Sequence, residues 1–134
     1  LAHLIDIPWQ TKGVESLGEG NVEDIARSVA LEYKTTAVVT GKIDIICTGK
    51  SCMENHTGHP ILAKVTGAGC LLGSILTACL TTDDPIEEQV LTAVHFYGLA
   101  ASHAAASPSV NGSGTFIAPF IDALSLEPEQ LEGK

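Results

Sequence analysis

The stretch Lys64-Val65-Thr66-Gly67-Ala68-Gly69-Cys70-Leu71-Leu72-Gly73 constrains this chain more than any other. An apolar run over residues 61–65 reads as a strand, and it ends in two glycines. A helix-forming run over 71–80 follows at once. Gly67 and Gly69 lack a Cβ, so the backbone there can turn sharply and approach a ligand closely. The new helix begins with N–H groups that have no intrahelical partner, and its macrodipole adds partial positive charge at that end. Together these features make an anion site, best suited to phosphate. Cys70 falls in the first turn, where a helix N-terminus favours the thiolate. The same pattern also arises as a plain strand-to-helix turn with a small packed cysteine, so the motif alone leaves both readings open. A dinucleotide fold fits less well. The glycines run G-x-G-x-x-x-G, and no strand ending in an acid follows about 20 residues later. No Gly-Lys-Ser/Thr follows the glycines, so this is not a Walker loop.

With 134 residues and 45% hydrophobic content, the chain is one domain or part of one, with enough apolar material for a core. Its net charge of -9 repels a phosphate backbone, which argues against nucleic-acid binding. No apolar run approaches the roughly 18 residues of a membrane span, and no signal peptide is legible. Cys47, Cys52, Cys70 and Cys79 form no C-x-x-C pair and are read as reduced intracellular thiols.

In chain order, the first eight residues look like the tail of a helix ended by Pro8. With no initiator methionine, the chain reads as a fragment of something longer. Residues 10–20 read as a loop. Asn21 is placed as the cap of a helix over 22–34. Its buried stripe is Val22, Ile25, Ala26, Val29 and Tyr33, opposite a solvated charged face. Residues 36–40 read as a strand covered on both faces, 43–48 and 51–56 as two more, and 61–65 as a fourth. The helix over 69–81 is apolar nearly all round and is expected to be central. Asp84, Pro85 and Glu87 read as a capping box opening a helix over 85–106. Its buried stripe is Ile86, Val90, Val94, Tyr97, Ala101 and Ala105. Residues 107–114 read as a loop, 115–124 as a last helix and 125–134 as a frayed tail.

Thr40-Gly41 ends a strand, where ligands collect in α/β sheets. Its hydroxyl suits a phosphate, though a strand-end hydroxyl is more often satisfied by nearby backbone. Cys52, His56 and His59 lack a fourth ligand, and no metal site is assigned. His95 and His103 lie on one helix with a surface role. Asp44, Asp83 and Asp84 read as turn and cap residues. Asn111-Gly112-Ser113-Gly114-Thr115 reads either as a contact for a nucleotide base or ribose or as a connector.

The strand Val38-Val39-Thr40-Gly41, the V-T-G-A-G-C-L-L-G run, and an alanine-rich helix before Asn-Gly-Ser-Gly-Thr-Phe together resemble the hydroxyethylthiazole kinases of thiamine salvage. Thr40 stands thirty residues before Cys70. Ala68 departs from that family's usual G-T-G-C. Most relatives of the wider fold carry aspartate where Cys70 stands. The resemblance covers essentially this whole chain and the C-terminal half of that family's. It implies an α/β, ribokinase-like three-layer sandwich, here the C-terminal part of one domain, in a cytoplasmic enzyme. The implied reaction is ATP- and Mg2+-dependent phosphorylation of the primary hydroxyl of 4-methyl-5-(2-hydroxyethyl)thiazole. By position, Thr40, Gly41 and Gly69 are the implied nucleotide contacts, and Gly67 and Ala68 the substrate contacts. Cys70 is the catalytic residue nearest the attacking hydroxyl, and the amides of 67–70 are an anion hole. A thiol with an ordinary pKa of about 8.5 is only a moderate base. The family's N-terminal half supplies further site residues, and its homotrimer places active sites between subunits. No nucleic-acid or membrane partner is implied. The other readings are a kinase of the hydroxymethylpyrimidine type, a non-catalytic nucleotide-binding module, and an enzyme with Cys70 as a nucleophile.

Overall fold

The computed structural model describes residues 1–5 and 19–132. The stop at Pro8 and most of the loop over 10–20 lie outside the described residues. The chain divides into two compact units, Leu1–Asn55 and His56–Lys134.

The first unit packs α1 (Glu19–Glu32) on a three-stranded antiparallel sheet. Its strands are β1 (Ala37–Val39), β2 (Asp44–Cys47) and β3 (Cys52–Asn55), in that spatial order. A short 3-10 helix, Ala2–Ile5, packs near α1. The register pairs Val38 with Ile46, Asp44 with Asn55, and Cys47 with Cys52. Side chains alternate across a pleated strand. Ala37, Ile45 and Cys47 accordingly form one core with Ala26, Val29 and Ala30 of α1.

Four expectations change here. Asn21 lies inside α1 rather than capping it, because the helix starts two residues earlier. Tyr33 is 52% exposed instead of closing the apolar stripe. It follows the helix's last turn, and its hydroxyl donates to the Leu4 carbonyl at 2.8 Å. β1 is an edge strand with Val38 and Val39 only half-buried, not a strand covered on both faces. Finally, Cys47 and Cys52 are joined by a disulfide, whereas Cys70 and Cys79 are free thiols. The hairpin turn brings the first two opposite one another, with Cα atoms 4.1 Å apart.

The second unit is helical, built around α3 (Ile86–Ala105). Against it pack α2 (Ala68–Cys79), α4 (Ser113–Ala123) and the short α5 (Pro128–Leu131). Val90, Val94, Tyr97 and Ala101 are buried as the periodicity predicts. Ile86, in the first turn, is 47% exposed, and Ala105, in the last, is half-buried. α3 opens without the expected box. Pro85 occupies the cap position with no side-chain bond, and Gln89 Nε2 instead donates to the Thr82 and Asp84 carbonyls.

Residues 61–65 are not a strand. Pro60–Lys64 is a 3-10 helix, capped by His59, whose Nδ1 accepts from the Ile61 N–H at 3.2 Å. Proline is at home at a helix's first position because its missing N–H would be unsatisfied there. Only Val65 is extended before the glycine turn. α2 is less central than its composition suggests. Leu72 is buried, but Leu71, Ile75 and Leu76 are half-buried, because α3 covers only one side of it. Residues 125–132 are not a frayed tail. α5 turns Leu131 inward to 7% exposure.

Candidate functional site

The glycine turn sits where the sequence puts it, at the entrance to α2. Gly67 is the helix's N-cap with φ 91° and ψ -5°. That left-handed conformation is easy only for glycine. A Cβ at Gly67 or Gly69 would meet nothing within 4 Å, so both face open space. The Ala68 N–H is directed at the Val65 carbonyl at 3.3 Å, and the Leu71 N–H makes the first helical bond, to Gly67 at 2.9 Å. Helix geometry leaves the N–H groups of Gly69 and Cys70 without an intrahelical partner. These two amides lie at the positive end of the macrodipole and make up the candidate anion site. Cys70 occupies the third helical position and is exposed. Its carbonyl accepts from the Ser74 hydroxyl at 3.2 Å.

The other side of the α2 entrance is fixed from α3. The Tyr97 hydroxyl donates to the Ala68 carbonyl at 2.6 Å. Tyr97 is 4% exposed and meets the Phe120 ring edge-on at 5.1 Å. Phe120 in turn stacks on Phe116 at 5.0 Å. Burial pushes the Tyr97 hydroxyl up to about 12, so it remains a donor at neutral pH. Sequence reasoning placed Tyr97 in the buried stripe and missed the role of its hydroxyl. A phenol on an otherwise apolar stripe is the available signal, since buried tyrosines usually find a polar partner.

Thr40 and Gly41 belong to the first unit. Both are exposed, in the turn that leaves β1. The Gly41 N–H donates to Asp44 Oδ1 at 3.0 Å, and Asp44 Oδ2 accepts from Asn55 Nδ2 at 2.9 Å. Asp44 is thus the turn residue expected, and Asn55 is a partner that the sequence did not reveal.

Of the remaining candidates, Cys52 is held in the disulfide and His59 is a helix cap. Among the described residues no three His, Cys, Asp or Glu side chains converge to hold a metal ion. His95 and His103 are exposed on α3. The segment before α4 is a closed turn, in which the Thr115 hydroxyl accepts from the N–H groups of Asn111 and Gly112. No helix among the described residues is long and apolar enough to cross a membrane.

The family model described as the hydroxyethylthiazole kinase family matches residues 1–129. Hydroxyethylthiazole kinase 1 of Oceanobacillus iheyensis is 49% identical over 131 residues, which is 98% of this chain and 51% of that protein. The solved structure of a hydroxyethylthiazole kinase protein from Pyrococcus horikoshii OT3 superposes with a TM-score of 0.77 at 25% identity. That match covers 87% of this chain and 45% of the other. The chain therefore spans about half the length of the curated relative it matches. Its α/β fold is the ribokinase-like one expected. A family match over nearly every residue, joined to a close relative and a shared fold, means that this chain belongs to the hydroxyethylthiazole kinase family.

Proposed function

We propose that this chain is the C-terminal half of a ribokinase-like kinase domain that transfers the γ-phosphoryl group of ATP to the primary hydroxyl of 4-methyl-5-(2-hydroxyethyl)thiazole. The observation that carries the reading is the α2 entrance, a left-handed glycine followed by two amides that point out of the helix. Phosphoryl transfer asks a protein mainly for positioning and charge stabilisation. In this reading the Gly69 and Cys70 amides face the transferring group. Gly67 and Ala68 line the place of the thiazole alcohol, and the missing Cβ atoms leave room for it. Cys70 lies nearest the attacking hydroxyl. Thr40 and Gly41 hold the nucleotide phosphates, the threonine by its hydroxyl and the glycine by close backbone approach.

Magnesium enters with the nucleotide. Mg2+ in such sites is bound chiefly by phosphates, water and one or two carboxylates, and no protein cage is assigned among the described residues. When bound, it neutralises charge on the phosphates. The family setting supports a cytoplasmic enzyme of thiamine biosynthesis that works as a homotrimer, with each site completed by residues outside this chain.

The test is ADP release by the full-length protein with MgATP and either hydroxyethylthiazole or hydroxymethylpyrimidine. ADP is expected with the thiazole alcohol alone. Thr40→Val, which removes one charge-assisted hydrogen bond, should raise the KM for MgATP by about tenfold. A folded protein that releases no thiazole-dependent ADP overturns the reading.

A further inference from the structure

We infer that Tyr97 is a positioning residue of the anion site, setting the direction of the Gly69 amide through its hydrogen bond to the Ala68 carbonyl. The inference rests on the kinase reading for its consequence, but its geometry stands alone. The Ala68 carbonyl and the Gly69 N–H belong to the same peptide unit. That unit is planar, and in the trans form its C=O and N–H point in opposite directions. No cis peptide occurs in the described residues. Holding the carbonyl therefore aims the amide. The 2.6 Å bond draws the carbonyl towards α3 and so turns the Gly69 N–H away from α3, out of the helix entrance.

The clamp adds to the main-chain bonds of the turn, from the Ala68 N–H to Val65 and from the Leu71 N–H to Gly67. Gly69 lies on one side of this peptide bond and Gly67 precedes Ala68, and glycine is the residue that most freely changes φ and ψ. The cap has no side-chain hydrogen bond of its own. The Ala68 carbonyl has two lone pairs, so it accepts from Tyr97 and still joins the helical ladder. The hydroxyl is itself fixed. Tyr97 is buried and its ring is set edge-on against Phe120, which stacks on Phe116. The high pKa from burial keeps the proton on the hydroxyl, so the donor persists wherever the protein works. Side chains in a chain of contacts from α4 through α3 thus fix a main-chain donor on α2.

The experiment is Tyr97→Phe in the full-length protein, read three ways. Losing a whole anion-hole donor costs roughly 100-fold or more in kcat, so misaiming one should lower kcat about tenfold. The KM for the thiazole alcohol should stay within about twofold, and the MgATP KM should rise less than kcat falls, because Gly69 is only one of the nucleotide contacts. Amide exchange at Leu71 and Leu72, the first bonded N–H groups of α2, should quicken about tenfold as the entrance loosens. 4-Aminophenylalanine at position 97 keeps a donor at the end of the ring and should restore kcat. Should Tyr97→Phe not fold, 4-fluorophenylalanine, which matches the bulk of the phenol without a donor, repeats the comparison. Unchanged kcat in a folded donorless variant, or a loss that 4-aminophenylalanine does not recover, overturns the proposal. A wild-type protein without thiazole-dependent ADP release overturns the kinase reading instead. In that case the exchange rates still decide whether Tyr97 clamps the turn.

Discussion

Asp44 holds the turn after β1 with both carboxylate oxygens, one on the Gly41 N–H and the other on Asn55 Nδ2. The second partner makes the interaction more than a surface cap, because Asn55 is only 2% exposed. A hydrogen bond to a charged group contributes about 1.5–3 kcal/mol. The acid also fixes β2 to β3 at the register position Asp44–Asn55, opposite the end where Cys47 and Cys52 are bonded. Asp44→Ala is therefore expected to lower unfolding stability by roughly 1–3 kcal/mol in denaturant titration. An unchanged midpoint would show that water replaces the carboxylate at both donors.

At the scale of elements, α3 and the segment just after β3 pack closely. A Cβ on Gly98 would lie 2.2 Å from Thr57 Oγ1, 2.7 Å from the Thr57 carbonyl carbon and 2.8 Å from the Gly58 nitrogen. Two of those atoms are backbone, so rotating a side chain cannot relieve the overlap. The segment is also pinned to the helix by hydrogen bonds. Thr57 Oγ1 donates to the His95 carbonyl, and Ser102 Oγ donates to the Gly58 carbonyl, each at 3.0 Å. Overpacking of this kind costs about 1–3 kcal/mol. Although Ala is the better helix former by up to ~1 kcal/mol, Gly98→Ala should destabilise the protein, seen as a lower thermal midpoint. A rise in the midpoint would mean that residues 57–58 move away at little cost.

The same elements show what periodicity can and cannot reveal. Val90, Val94, Tyr97 and Ala101 were legible because burial on one helical face repeats in the sequence, β1 and β2 were legible from β-branched and apolar runs, and β3 from the turns that bound it at Gly49 and Gly58. Residues 61–65 were misread because a short apolar run carries no period that separates a strand from a short helix. The deciding groups were His59 and Pro60, just outside it. The disulfide was illegible because only the β2–β3 register sets Cys47 opposite Cys52. In the candidate site, the glycines and Cys70 announce themselves, since a turn into a helix needs residues of that kind in that order. The bond from Tyr97 to Ala68 spans 29 positions, and nothing local marks it.

For the whole molecule the governing quantity is charge. This chain carries a net charge of -9 with a pI near 4.8, and the proposed co-substrate is a polyanion. A helix N-terminus offers only about half a positive charge, too little to offset a triphosphate approaching an acidic surface. Ionic screening at physiological salt acts over about 8 Å and does not reach charges in direct contact. In the proposed reading, neutralisation arrives with the nucleotide as a divalent cation held by its phosphates. In the full-length protein, excess EDTA is expected to reduce thiazole-dependent ADP release to background, and Mg2+ added beyond the chelator should restore it. Sodium chloride at matched ionic strength should not, because diffuse screening cannot replace a cation bound directly to the phosphates. Full activity under chelation would mean that cationic side chains outside these residues neutralise the phosphates alone.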